Sequence, residues 1–125
     1  MAIRDLGNPK YISLRTFRKN GTAVDTPVWA VEEDEKLYVW TQADSWKVKR
    51  IRNNEAVQIA LCDMKGMVEG EWMDARAYVD DNPVEEKKMR GRLAKKYGLM
   101  YRLFGIFGNI LRRGKKSIVI VIQDV

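Results

Sequence analysis

The sequence predicts a single α+β domain, spanning residues 1–125, built mainly on a six-stranded antiparallel β-barrel. Three observations predict it. Short segments of alternating or wholly apolar residues, rich in β-branched and aromatic side chains, recur along the chain between clusters of turn residues. The 125 residues suffice for one hydrophobic core and are too few for two. Apolar residues make up 46% and charged residues 32%, which suits a globular chain rather than a disordered one.

Residues 3–9 have room for no more than a helical turn, which Pro9 ends. The first strand is expected over 11–18 (YISLRTFR), with Ile12 and Leu14 on one face and Arg15 on the other. Asn20-Gly21 then signals a type I′ hairpin, whose two central residues need positive φ. The second strand, 22–31, contains Pro27, which lacks an N–H for the ladder and so marks a bulge, a free edge or a ligand beside the strand. The acidic run Glu32-Glu33-Asp34-Glu35 reads as a solvated turn before a third strand at 36–42 (KLYVWTQ).

Asp44 or Ser45 can cap a short helix from Trp46 to about Asn54, with Val48 and Ile51 facing inward. Strands four and five are expected at 55–62 and 69–79, on either side of a turn at Gly66. Asn82-Pro83-Val84-Glu85 has the form of a capping box with proline at the first helical position, so a helix runs from there to about Tyr97, where Gly98 stops it. A second helix at 99–112 carries an apolar stripe at 100, 103, 104, 107, 110 and 111. It is too short to span a bilayer, and its stripe is expected in the core or an interface. The sixth strand, 116–123, includes the continuous apolar run SIVIVI and belongs deep in the sheet.

Composition excludes several chemistries. The chain has no histidine and one cysteine, Cys62, so it has no Ser-His or Cys-His pair, no imidazole metal ligand and no internal disulfide. Cys62 lies in the apolar run AVQIALC and reads as a core thiol. If the chain is an enzyme, an organic cofactor is expected to supply its chemistry. The charged N-terminus has no apolar stretch fit for a signal peptide, and a reducing cytoplasm is the expected compartment.

Charge is uneven. Residues 1–83 carry 12 basic and 14 acidic groups, whereas 84–116 carry 11 basic and 2 acidic ones. Such a basic block suits an anionic partner, and equally a solvated lysine- and arginine-rich helix face. The segment Thr41 to Arg50 (TQADSWKVKR) is more specific. A strand ends, a helix begins, and Lys47, Lys49 and Arg50 fall within four positions at the helix end whose free N–H groups favour an anion. Two readings stand for it: a phosphate cradle, or an exposed basic helix face.

Over Lys10 to Val79 the chain resembles the pyridoxamine 5′-phosphate oxidase-like flavin and deazaflavin oxidoreductases. The matching runs are KYISLRTFRKNGTAVDTPVWAV, LYVWTQADSWKVKRIRNNEAVQIALCD and DARAYV. The TPVW strand, the KVKRIR helix and the following CD dipeptide are similar to the branch that takes FMN or coenzyme F-420, a deazaflavin. The resemblance implies an FMN-binding-protein-like split β-barrel and a homodimer with cofactor at the subunit interface. It also implies hydride transfer to or from a small-molecule substrate. It places Lys47, Lys49 and Arg50 on the cofactor phosphate, with Thr41, Gln42 and Ser45 completing its hydrogen bonding. It sets Thr26, Pro27, Val28 and Trp29 beside the ring, while no side chain is implied as catalytic acid or base. The chain departs from the family pattern in having almost no N-terminal helix and in its Met64-Lys65-Gly66-Met67 loop. The other readings are a non-enzymatic flavin carrier or sensor, and a basic module for nucleic acid or a membrane surface. The basic run around Lys87 to Lys96 favours the last, but no RNA-reading aromatic signature interleaves with those charges, so no nucleic acid and no stable membrane insertion are expected.

Overall fold

The computed structural model describes residues 2–7, 9–98 and 117–125. Ile3–Leu6 forms a single 3-10 turn. Among the described residues, seven strands and two helices follow: β1 (Tyr11–Phe17), β2 (Ala23–Trp29), β3 (Val31–Glu33), β4 (Lys36–Gln42), α1 (Trp46–Asn53), β5 (Ala56–Leu61), β6 (Met73–Asp80), α2 (Pro83–Tyr97) and β7 (Ser117–Asp124). The expected helix at 99–112 lies outside the described residues.

One antiparallel sheet holds every strand in the order β2-β1-β5-β6-β7-β4-β3. Its edge strands, β2 and β3, are consecutive in sequence with only Ala30 between them. One residue spans less than about 4 Å, so the two edges must meet at that point and the sheet must curl into a half-barrel. This is also why there are seven strands rather than the six expected. The segment 22–31 is continuous in sequence, but its first part pairs with β1 and its last part with β4, and Ala30 is where it changes partner.

The inner face is apolar by strict alternation. Ile12, Leu14, Leu37, Val39, Ile59, Ala75, Ile118, Ile120 and Ile122 form the interior, and Val48 and Ile51 of α1 complete it. A second layer lies on the outer face, where Met89, Leu93 and Tyr97 of α2 cover Val119, Val121 and the half-buried Tyr38, Trp40 and Tyr78. The uninterrupted apolar run of β7 is thereby explained, since both of its faces are covered. Asn82 caps α2 by accepting a hydrogen bond from the Val84 N–H at 2.9 Å, Pro83 occupies the first turn, and Gly98 ends the helix at φ +52°.

Two turns differ from expectation. At the β1–β2 hairpin only Gly21 has positive φ (+87°). The Gly21 N–H donates to Arg18 O and the Arg18 N–H to Thr22 O, which makes a three-residue loop with a glycine bulge in place of a type I′ turn. The positive-φ pair sits instead at Asp34 (+53°) and Glu35 (+65°), joining β3 to β4 by a two-residue connection. Fifth-strand pairing also starts late. Val68 bridges Cys62 and the Glu69 N–H donates to Leu61 O, but the continuous ladder with β5 begins at Met73.

The seam at Ala30 is tied to α2. Lys96 Nζ donates to the carbonyls of Pro9 and Ala30, both at 2.6 Å. Burial lowers the Lys96 pKa to about 8, against a smaller upward pull from Glu32, and burial raises that of Tyr97 to about 12. Between pH 8 and the ordinary lysine value of 10.5, the unfolded chain therefore binds more protons at Lys96 than the folded one, and stability rises with pH. Above about pH 10 the unfolded tyrosine ionises while Tyr97 does not, and stability falls. Denaturant titrations at pH 7, 8.5 and 9.5 should show the parent gaining stability relative to Lys96→Met. A parallel response in both proteins would assign the effect to other groups.

Candidate functional site

Helix α1 presents three cations in different settings. Val48 and Ile51 anchor it to the barrel interior, which fixes its rotation. Arg50 Nε donates to Thr16 Oγ1 of β1 at 2.6 Å, and Thr16 is buried. Lys49 Nζ lies 4.4 Å from the ring centroid of Trp46, which is 71% exposed. Lys47 is half-buried beside Arg50, and its pKa is lowered first by burial and then by the Arg50 charge.

Lys49 and Arg50 line a cleft of about 610 Å³ together with Trp46, Asn53 and the hairpin residues Arg18 and Lys19. No carboxylate lines it, and among the described residues none of Arg18, Lys19, Lys47, Lys49 and Arg50 is in an ion pair. Burial and then the neighbouring Arg18 push the Arg50 pKa down, as expected where like charges gather. At the N-terminal end of α1 the Ser45 hydroxyl is buried, makes no cap hydrogen bond and has no partner among the described residues. Ser45 does not line the cleft; the unpaired cations and a volume within the usual range for ligand sites fit a phosphate-bearing organic group.

The remaining expected site residues are divided. Thr41 is buried on the inner face of β4, paired with Ile118. Gln42 Nε2 donates to Asp44 Oδ1 at 2.5 Å, within the turn leading to α1. On β2, Thr26 and Val28 stand opposite Leu14 and Ile12, on the inner side, while Pro27 and Trp29 face outward. Pro27 lies on an edge strand, the setting in which a sheet tolerates proline.

Pro27, Val28 and Trp29 line a second cleft, of about 350 Å³, with Tyr11 and Met64. The Trp29 ring stacks on Tyr97 with centroids 4.4 Å apart and planes within 8°. Gly66, at φ +89°, brings the 63–67 turn against Pro27, and a Cβ there would lie 3.4 Å from the proline ring. Strand β2 links the clefts. Val24 lines the first and Val28 the second, four residues or about 13 Å along the strand. The chain thus brings Lys49 and Arg50 together, places Lys47 outside the lining, and sets the Pro27–Trp29 segment in a separate cleft. Sequence reasoning missed Arg18, Lys19, Tyr11 and Met64. The paired cations before Asn20-Gly21 were visible, but nothing local shows that this hairpin tip lies beside α1.

No family model and no curated protein matches the chain. Solved structures do. An F420 reductase is 19% identical, with a TM-score of 0.63, covering 99% of this chain and 93% of its own. A heme storage protein from Vibrio cholerae is 13% identical with a TM-score of 0.66, over 100% and 92%. A pyridoxamine 5′-phosphate oxidase-related, FMN-binding protein from Nostoc punctiforme is 16% identical with a TM-score of 0.59, over 98% and 73%. These likenesses establish the fold, a split β-barrel like that of the pyridoxamine 5′-phosphate oxidase-related structures. Among the described residues, no group of acidic or cysteine side chains could hold a metal ion, and no helix is long and apolar enough to cross a membrane.

Proposed function

We propose that this chain binds a flavin-type cofactor, FMN or coenzyme F-420, by its phosphate at the α1 cleft and serves as an oxidoreductase acting on a small organic molecule. The observation that carries the reading is the gathering of four cations around that cleft with no carboxylate among them. Solved structures of the same fold that include an F420 reductase and an FMN-binding protein support the cofactor class. When bound, the cofactor supplies the hydride chemistry. The chain's own residues bind and orient: Arg50, held by Thr16, and Lys49 take the phosphate, and the Pro27–Trp29 segment of β2 forms an apolar, aromatic wall for a planar ring. A homodimer belongs to the same reading, with the exposed Trp46, Met64 and Met67 as apolar side chains for a second copy to cover.

The heme storage protein of the same fold favours a second reading, a carrier that binds without turnover. Titration of the protein with FMN, coenzyme F-420 and riboflavin, followed by cofactor fluorescence, tests the binding. Saturable binding of a phosphorylated cofactor, with riboflavin much weaker, is expected. Equal affinity for FMN and riboflavin, or no binding at all, would remove the phosphate site. Stoichiometric binding without oxidation of the reduced cofactor by any of a panel of quinone and nitro acceptors would favour the carrier.

A further inference from the structure

Three cations of α2 are balanced by carboxylates: Lys88 pairs with Glu85, Arg90 with Glu86 and Arg92 with Glu33. Lys96 is held differently. Its half-buried side chain reaches the seam, where Nζ donates to Pro9 O and Ala30 O, each at 2.6 Å. Among the described residues it is in no ion pair. An ammonium group carries three N–H donors and no lone pair, whereas a neutral amine carries two donors and one lone pair. The two carbonyls therefore match the amine. Its lone pair is left over, and so is the third donor of the ammonium form, which has no partner among the described residues. Two groups favour the charge: Glu32 of β3, and the face of the Tyr97 ring, whose centroid lies 5.3 Å from Nζ. Burial outweighs the pull of Glu32, which is why the pKa falls to about 8, while the Tyr97 hydroxyl, at about 12, stays neutral over the same range.

We infer that Lys96 is a modification site, a nucleophilic amine that the seam presents to small activated acyl donors, acyl phosphates or thioesters. The lone pair of Nζ forms a bond to the acyl carbon as the C–O bond of an acyl phosphate, or the C–S bond of a thioester, breaks. Phosphate or thiolate leaves with the electron pair, and one Nζ proton passes to solvent. The amide that results keeps one N–H where the amine had two, so it can hold only one carbonyl. Ala30 O also accepts from the Tyr97 hydroxyl at 3.0 Å, so the loss falls on Pro9 O. Acylation thus unties the segment before β1 from α2.

The test treats the folded protein with acetyl phosphate and, separately, with acetyl-CoA, and follows each site by tandem mass spectrometry. At pH 7.5 about a quarter of Lys96 is unprotonated, against about one part in a thousand for an ordinary lysine; its lower basicity takes back part of that advantage. Lys96 should therefore react roughly tenfold faster than the exposed Lys87 and Lys95 of the same helix with at least one donor, which identifies the source. Its rate should level off above about pH 8. In urea the preference should vanish. Protein acylated at Lys96 should melt about 3–5 °C below the parent. Modification of Lys96 no faster than that of Lys95 with either donor would overturn the site, as would a preference that survives unfolding. An unchanged melting point after acylation would overturn the release of Pro9.

Discussion

Arg50→Ala is expected to weaken binding of FMN or coenzyme F-420 by roughly 10- to 150-fold, the equivalent of about 1.5–3 kcal/mol for one charge-assisted contact. Of the three α1 cations, Arg50 is the one whose direction the fold fixes, through the 2.6 Å hydrogen bond from Nε to the buried Thr16 hydroxyl. The affinities of single alanine variants should therefore fall most for Arg50, less for the exposed Lys49, and least for Lys47, which stands outside the cleft lining. Thr16→Val keeps the charge and removes its tether, so an intermediate loss there separates orientation from charge. Stability should change little in Arg50→Ala. Thr16 loses a hydrogen-bond partner, at a cost of about 1 kcal/mol, but crowding with Arg18 is relieved. Added salt should shrink the affinity difference by screening the contact in the parent. Lys87→Ala and Lys95→Ala, on the exposed face of α2, are the controls. Losses as large as that of Arg50→Ala would show diffuse attraction by the whole basic surface. An unchanged Kd in the Lys47→Ala/Lys49→Ala/Arg50→Ala variant would end the assignment.

Local periodicity made the strands and both described helices legible, because burial of one face leaves its period in the sequence. Ile12 and Leu14 of β1, Val48 and Ile51 of α1, and the apolar run of β7 all lie where their spacing puts them. What the sequence concealed depends on partners distant along the chain. Nothing at Ala30 signals that the strand changes neighbours there, because both halves of 22–31 remain extended. Turn type was misjudged for a related reason. Asn20-Gly21 favours positive φ locally, yet the ladder continues past Phe17 and Ala23 to the Arg18–Thr22 pair, which leaves three loop residues, 19–21, and a three-residue loop needs positive φ at its glycine alone. The site was half legible. The cations on α1 stand close together in sequence, whereas Arg18 and Lys19 join them through a contact between β1 and α1 that spans some thirty residues.

Tyr97→Ala should destabilise the protein by about 3–5 kcal/mol, the usual cost of deleting a buried aromatic side chain. Tyr97 is 6% exposed at the end of α2 and binds the seam in two ways. Its ring stacks on Trp29, the last residue of β2. Its hydroxyl donates to Lys10 O at 2.6 Å, lies 3.0 Å from Ala30 O, and accepts from the Ala30 N–H at 3.2 Å. Ala30 is fully buried, so without that oxygen its N–H has no replacement from water, whereas its carbonyl keeps Lys96 Nζ. Tyr97→Phe isolates the hydroxyl. It should cost about 1–3 kcal/mol while preserving the stack. For a domain of this length each kcal/mol lowers Tm by roughly 3–5 °C, so the two variants should be well separated in a thermal melt. Function divides them as well. Trp29 lines the cleft with Tyr11, Pro27, Val28 and Met64, and Tyr97 supports its ring from behind. Tyr97→Phe should therefore retain cofactor affinity despite its lower Tm, and Tyr97→Ala should lose both. If Tyr97→Phe melts with the parent, the hydroxyl does not secure the seam; if Tyr97→Ala binds cofactor as tightly as the parent, the Trp29 wall is not part of the site.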